Sequence, residues 1–249
     1  MKVTRFLVTL LFLGAASTSA FAQGAVSLNW NTCTGPIDKA VLSGDVADGI
    51  LVSVLGQTIV HQGYKIEVTV GGNGPLRDAW RFDPAGCQGS GAIAIDHLPS
   101  NAIKVLCPSF QGALASVQVK DYSFDGISGK AKISLYNTYP NNLPGGGAAQ
   151  GNPGATTGTQ RYFLGRFLFD QSLGVVGPSD PAAATCGGLE VGTCFHLTAQ
   201  TWLDLQGVEN TWAIAQEFVT SNDPNNAAHC PGATPTVGTT WGNLKNQYR

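Results

Sequence analysis

The chain predicts an all-β protein, an antiparallel β-sandwich of immunoglobulin-like or jelly-roll-like type, with long loops and a short C-terminal helix. Three observations carry this. Apolar residues alternate with period two in several short runs. Clusters of Gly, Pro, Asn and Asp separate those runs. Only 12% of residues are charged, against about 25% in ordinary soluble domains, and the 32 glycines are nearly twice the usual share of about 7%. That composition fits a rigid extracellular β protein better than a helical cytosolic enzyme.

The amino end reads as a secretory signal peptide. Lys2 and Arg5 form a positive start, Phe6 to Ala16 an apolar run of 11 residues, and Ala20-Phe21-Ala22 a small-x-small cleavage pattern. A membrane anchor would need about 20 apolar residues. No Cys follows the cut, which argues against a lipid anchor, and no other stretch is long and apolar enough to span a bilayer. The expected localisation is secreted, periplasmic or cell-surface, with cleavage after Ala22. Removing residues 1–22 from 249 leaves 227. It also removes two of the 14 basic residues, so 12 face 16 acids and the mature balance is −4. A mildly acidic chain has no electrostatic footprint for nucleic acid or for an anionic membrane surface.

The strands run in order along the chain. AVSLNW (25–30) puts Val26, Leu28 and Trp30 on one face. ILVSVLGQTIV (50–60) is β-branched and broken at Gly56-Gln57, as at a bulge or tight turn. YKIEVTV (64–70) alternates Tyr64, Ile66, Val68 and Val70 against Lys65, Glu67 and Thr69. AKISLYNT (131–138) sets Ile133 and Leu135 against Lys132, Ser134 and Thr138. RYFLGRFLFD (161–170) is aromatic on both faces, which marks a central strand. CFHLT (194–198) and WAIAQEFVT (212–220) complete the set, the latter also readable as a short helix. Residues 140–160, PNNLPGGGAAQGNPGATTGTQ, have no apolar periodicity. They read as a flexible loop within a single domain spanning 23–249, because the C-terminal remainder has too few strands to bury a core alone. TTWGNLKNQYR reads as the terminal helix, capped by Thr239 or Thr240, with Trp241 and Leu244 facing the body.

Several of these pieces together resemble a family of secreted bacterial proteins. They are W-x-x-C at Trp30 to Cys33, DAWRFDPAGC at Asp78 to Cys87, Tyr162-Phe163, and the Cys186 to Cys194 loop. The closing CPGATP…TWGNLKNQYR, from Cys230 to Arg249, is the most specific. The resemblance runs over nearly all of the mature chain. Two cysteines of that pattern, one early and one beside Cys186, have no counterpart here. The resemblance implies export, disulfides and a β fold, and brings no activity with it.

All six cysteines, Cys33, Cys87, Cys107, Cys186, Cys194 and Cys230, lie after the cut. An even count in an exported chain predicts three disulfides, among 15 arithmetical pairings. The glycine-rich CGGLEVGTC makes Cys186–Cys194 the best local candidate. Cys87–Cys107 comes next, and Cys33–Cys230 follows by elimination. Zinc is disfavoured, because neither C-x-x-C nor H-x(3–5)-H spacing occurs.

The signatures of chemistry are sparse. There is no G-x-S-x-G elbow, no H-E-x-x-H and no phosphate-cradling glycine loop. His61, His97, His196 and His229 are scattered, and a lone strand histidine is more often packed than catalytic. Asp204, Glu209 and Glu217 flank Trp202 and Trp212. Paired carboxylates beside aromatic rings are what a glycosidase or sugar-binding site uses. Trp202, Trp212, Asp204 and Glu217 are therefore the candidate ligand platform, set against the plainer reading of core tryptophans and solvated acids. Calcium has three candidate loops: Asp45 with Asp48, Asp121 with Asp125, and Asp223 with Asn222 and Asn225. Ordinary Asx-turn chemistry explains the same residues. The sequence thus predicts no catalytic residue and no cofactor beyond a candidate structural calcium. Its leading expectation is a structural or ligand-binding module, with a glycan or a cell-surface component as partner. The alternative is a secreted carbohydrate-active enzyme or carbohydrate-binding protein. Self-association is left open.

Overall fold

The computed structural model describes residues 25–45, 48–55, 61–96, 100–108, 117–138, 161–177, 186–204, 207–224 and 230. The expected signal segment, the 140–160 loop and the expected terminal helix lie outside the described residues.

Two sheets face each other. The first has five strands, in the order β13 (Ala213–Gln216), β1 (Ala25–Trp30), β3 (Asp48–Leu55), β8 (Arg161–Phe169) and β5 (Ile93–Asp96). The second runs β2 (Asp38–Lys39), β14 (Phe218–Ser221), β11 (Thr193–Asp204), β4 (His61–Gly71), β7 (Lys130–Thr138) and β6 (Val117–Asp125), with β12 (Glu209–Asn210) also paired to β11. A small parallel pair, β9 (Gly174–Val175) with β10 (Cys186–Gly187), closes one end. The interior pairings are antiparallel, as expected. The edge pairs β1–β13 and β2–β14 are parallel, which the all-antiparallel expectation missed. The segment 212–220 is strand on either side of Glu217, not helix.

The alternation read from the sequence builds the core. Val26, Leu28 and Trp30 of β1 meet Tyr64, Ile66, Val68 and Val70 of β4 in one cluster that spans both sheets. β8 is indeed interior, between β3 and β5. A bulge opposite Val52/Ser53 shifts its parity, so that Tyr162 and Leu164 before it, and Phe167 and Phe169 after it, all face the core. A bulge in β11 between Leu197 and Ala199 does the same for Phe195 and Leu197 on one side and Gln200 and Trp202 on the other. The sheets are also tied by side chains, since Trp30 Nε1 donates to Thr220 O at 2.7 Å and the Tyr64 hydroxyl to Leu164 O at 3.0 Å. Ser134, expected on the wet face, is buried at 1% exposure.

All six cysteines are paired, and all three expected pairings are wrong: the bonds are Cys33–Cys107, Cys87–Cys186 and Cys194–Cys230. Layering is the reason. Cys186 belongs to the central cluster, whereas Cys194 packs with Phe218 and Cys230 on the outer face of the second sheet. Cys33 and Cys107 sit with Leu51, Ile103 and Phe163 on the outer face of the first sheet. A Cys186–Cys194 bond would have to pass through a sheet, and a Cys33–Cys230 bond through the whole sandwich. Cys33–Cys107 instead fastens helix α1 (Asn101–Leu106) over the first sheet, where Ile103 is its buried contact.

Candidate functional site

Strand directions gather the long described connections at one end. There, 31–45, 71–92, 126–129, 170–177, 186–192 and 222–224 form a crown around the sandwich mouth. The segment 71–92 plugs the mouth. Its 3-10 turn Asp78–Trp80 drives Trp80 between the sheets, edge-on to Phe169 (5.5 Å between centroids) and Phe195 (5.0 Å), with Phe82 stacked on Phe169. The Tyr122 hydroxyl on β6 donates to Trp80 O at 2.9 Å, and burial pushes its pKa up to about 12.

The crown is cross-tied. Gln88 Nε2 donates to Gln171 Oε1 at 2.5 Å, and Gln171 Nε2 to Ala79 O at 3.0 Å, all buried. Asp38 Oδ1 accepts the Thr220 hydroxyl at 2.8 Å and Asp223 N at 2.9 Å. Asn222, in the left-handed region at φ 53°, reaches both Val41 N–H and Val41 C=O and donates to Leu189 O. Lys39 Nζ lies 2.6 Å from Asp48, whose other oxygen accepts Asn31 Nδ2 at 3.1 Å. Cys87–Cys186 adds a covalent tie.

Between these ties lies a trough. One stretch, of about 410 Å³, runs between Pro75–Asp78 and Gly187, Gly188, Glu190 and Val191, with Gly177 at its side. It continues past Val191 to Thr193 as a smaller hollow of about 200 Å³ lined by Gly71–Gly74. The walls meet where the Arg77 stem lies on Gly188. A Cβ at Gly188 would sit 2.7 Å from the Arg77 Cβ, and the backbone there is left-handed at φ 93°, so glycine is required twice over. Glu190 accepts Gly177 N at 2.7 Å, which fixes one charge on the rim opposite Arg77. On the far side of the 72–75 loop, a second hollow of about 400 Å³ is bounded by Phe124 and the β6–β7 turn. Ile127, at the tip of that turn, is fully exposed.

The residues singled out from sequence lie elsewhere or do other work. Trp202 and Trp212 are 1% and 6% exposed and stack on each other at 3.5 Å and 6°. Gln200 bridges them, accepting Trp202 Nε1 and donating to Trp212 O. Their faces are therefore covered by one another and by Tyr64 rather than offered to a ligand. That corrects the platform expectation for the two rings. Glu209 is exposed on β12, Glu217 is half-buried between two strands, and Asp204 ends β11. None of these five residues lines the trough.

The calcium candidates resolve into turn and ion-pair chemistry. Asp45 accepts Leu42 N at 2.8 Å, and Asp48 is engaged by Lys39. Asp121 and Asp125 share β6 four positions apart, about 13 Å at about 3.3 Å per residue, too far to grip one ion. Asp125 caps its own turn, and hydrogen bonds from the Ser128 hydroxyl and Ile127 N–H hold its carboxyl below the usual range. Asp223 is buried, and Asn225 lies outside the described residues. Among the described residues, no three His, Cys, Asp or Glu side chains converge as a metal site. His196 is half-buried on the outer face beside Cys194; the side chain of His61 is not described, and His97 and His229 lie outside the described residues. Among the described residues, no helix is long and apolar enough to cross a membrane. Sequence reasoning passed over the trough residues. Their one signal was the density of glycine in GGNGP (71–75) and in 187–192, where backbone rather than side chains forms the walls.

No family model matches the chain, and no curated protein matches it. Solved structures with a similar trace are cohesins. A cohesin module from a Clostridium perfringens family 33 glycoside hydrolase is 10% identical, covering 81% of this chain and 98% of its own, with a TM-score of 0.37. A type II cohesin domain from the cellulosome of Acetivibrio cellulolyticus is 8% identical, covering 80% and 95%, also at 0.37. A non-cellulosomal cohesin from Archaeoglobus fulgidus is 10% identical, covering 79% and 89%, at 0.30. A likeness at this level carries no residue, ligand or partner across to this chain.

Proposed function

We propose that the chain is an exported, non-catalytic binding module that presents its loop crown to a partner outside the cytoplasm. The observation that carries this reading is the trough itself. An open groove of about 410 Å³ is held between segments that are tied by a disulfide and buried hydrogen bonds. Loops fixed before binding lose little entropy when a ligand arrives, which is the physical condition for a site. Three disulfides fit an oxidising compartment, and the basic, apolar and small-residue pattern of residues 1–22 fits export into one.

The test uses the purified mature protein, oxidised, on a glycan array and a peptide array in parallel, beside the variant Arg77→Glu. Reproducible binding that weakens about tenfold or more in the variant, the loss of roughly one good charge-assisted contact, supports the reading. Blank arrays, or binding that R77E leaves unchanged, count against the trough as the site.

A further inference from the structure

We infer that Cys87–Cys186 is a reducible clasp joining the two walls of the trough, so that occupancy of the trough follows the redox state of its surroundings. The inference rests on the trough being the binding surface; the clasp itself is tested without a ligand.

Position comes first. Cys87 closes the segment whose residues Pro75–Asp78 form one wall, and Cys186 stands directly before Gly187 and Gly188 of the other. The Arg77 stem, lying on Gly188, also joins the rims. The second wall has its own anchors, with β10 on β9 and Glu190 on Gly177 N. It can therefore part from the first wall without unravelling. Deeper down, the Gln88–Gln171–Ala79 hydrogen bonds hold the base together, which confines the opening to the rims. The other two disulfides lie on the outer faces of the sheets, away from the trough.

Accessibility comes second. Cys33, Cys107, Cys186, Cys194 and Cys230 are all between 0% and 3% exposed. Cys87 alone is only half-buried. A thiol arriving from solvent meets Cys87 first. The thiolate of a dithiol reductant attacks Cys87 Sγ, the S–S bond breaks, and Cys186 leaves as a thiolate that takes up a proton. The reductant's second thiol then displaces Cys87, which leaves as a thiol. The reductant ends as its own disulfide, having given up two electrons.

The experiment treats the full mature protein with limiting dithiothreitol, blocks new thiols with iodoacetamide at intervals, and reads labelled cysteines by mass spectrometry. Parallel samples receive a brief trypsin pulse. We expect Cys87 and Cys186 to be labelled before the other four. Cleavage after Arg77 should rise by about tenfold or more as the wall opens, while cleavage after Arg166, inside β8, stays flat. The variant C87S/C186S should show the same cleavage without reductant. Earlier labelling of Cys33, Cys107, Cys194 or Cys230 overturns the clasp, as does unchanged cleavage at Arg77 once Cys87–Cys186 is open. If the variant does not fold, the wild-type time course decides alone. Blank arrays with oxidised protein would remove the binding reading and leave the clasp standing.

Discussion

Tyr122 shows how one polar atom is held inside an apolar plug. Its ring meets Phe82 edge-on at 5.6 Å and its hydroxyl is spent on the Trp80 carbonyl. An unfolded tyrosine loses its proton near 10, whereas burial delays this one to about 12. The neutral phenol is thus favoured by folding. Its stabilisation is complete below pH 10 and is lost as pH rises through 12. In a series of thermal melts across that window, Tyr122→Phe should lose less stability per pH unit than wild type; parallel curves would refute this. Trp202 and Trp212 teach a different lesson at the same scale. Their proximity in the chain was legible, and so was the presence of acids nearby. The β11–β12 pairing that brings Trp212 back beside Trp202 was not, because the alternation within β11 does not say which later segment pairs with it.

Strands with one apolar face were legible because period two is a local property. β1, β4 and β7 were placed to within a few residues of where they lie. β6 was not read as a strand; its Asp121 and Asp125 were singled out as a calcium candidate beside the plainer reading of Asx turns. Its apolar pair Tyr122 and Phe124 falls in phase with Gln118 and Lys120, which interrupts the alternation. The helix α1 went unread for a related reason: six residues carry less than two turns of pattern, and such a helix does not persist in water alone. What keeps it is the Cys33–Cys107 bond, with Ile103 beneath. Replacing both cysteines (C33S/C107S) should cost about 2–4 kcal/mol in urea unfolding, and should speed hydrogen exchange in 101–106 first. Uniform acceleration across both sheets would mean that the helix is held by something else. The pairing itself had a partial signal, since Cys194 shares parity with His196 and opposes Phe195 and Leu197. The layers of the other cysteines became readable only with the sheets assembled.

The two sheets behave as one body because large rings fill the space between them. Trp30 lies 5.6 Å from Phe195, and Phe169 5.5 Å from the same ring, so Phe195, on the second sheet, touches residues of the first sheet and of the plug. Phe195→Ala should therefore destabilise the whole molecule by about 3–5 kcal/mol, with one shared melting transition by near-UV and far-UV circular dichroism. Separate transitions would show that the sheets do not depend on each other. The linkage pattern of the sulfurs has its own consequence for biogenesis. Cys33–Cys107 straddles Cys87, and Cys87–Cys186 straddles Cys107, so these two bonds interlace. A polypeptide is born from its amino end, and Cys33 meets Cys87 before its proper mate exists. Oxidation that outruns synthesis therefore locks in a mispaired species, which only a reshuffling catalyst or a reducing rinse can rescue. Recombinant yield should depend on isomerase supply far more than on oxidising power.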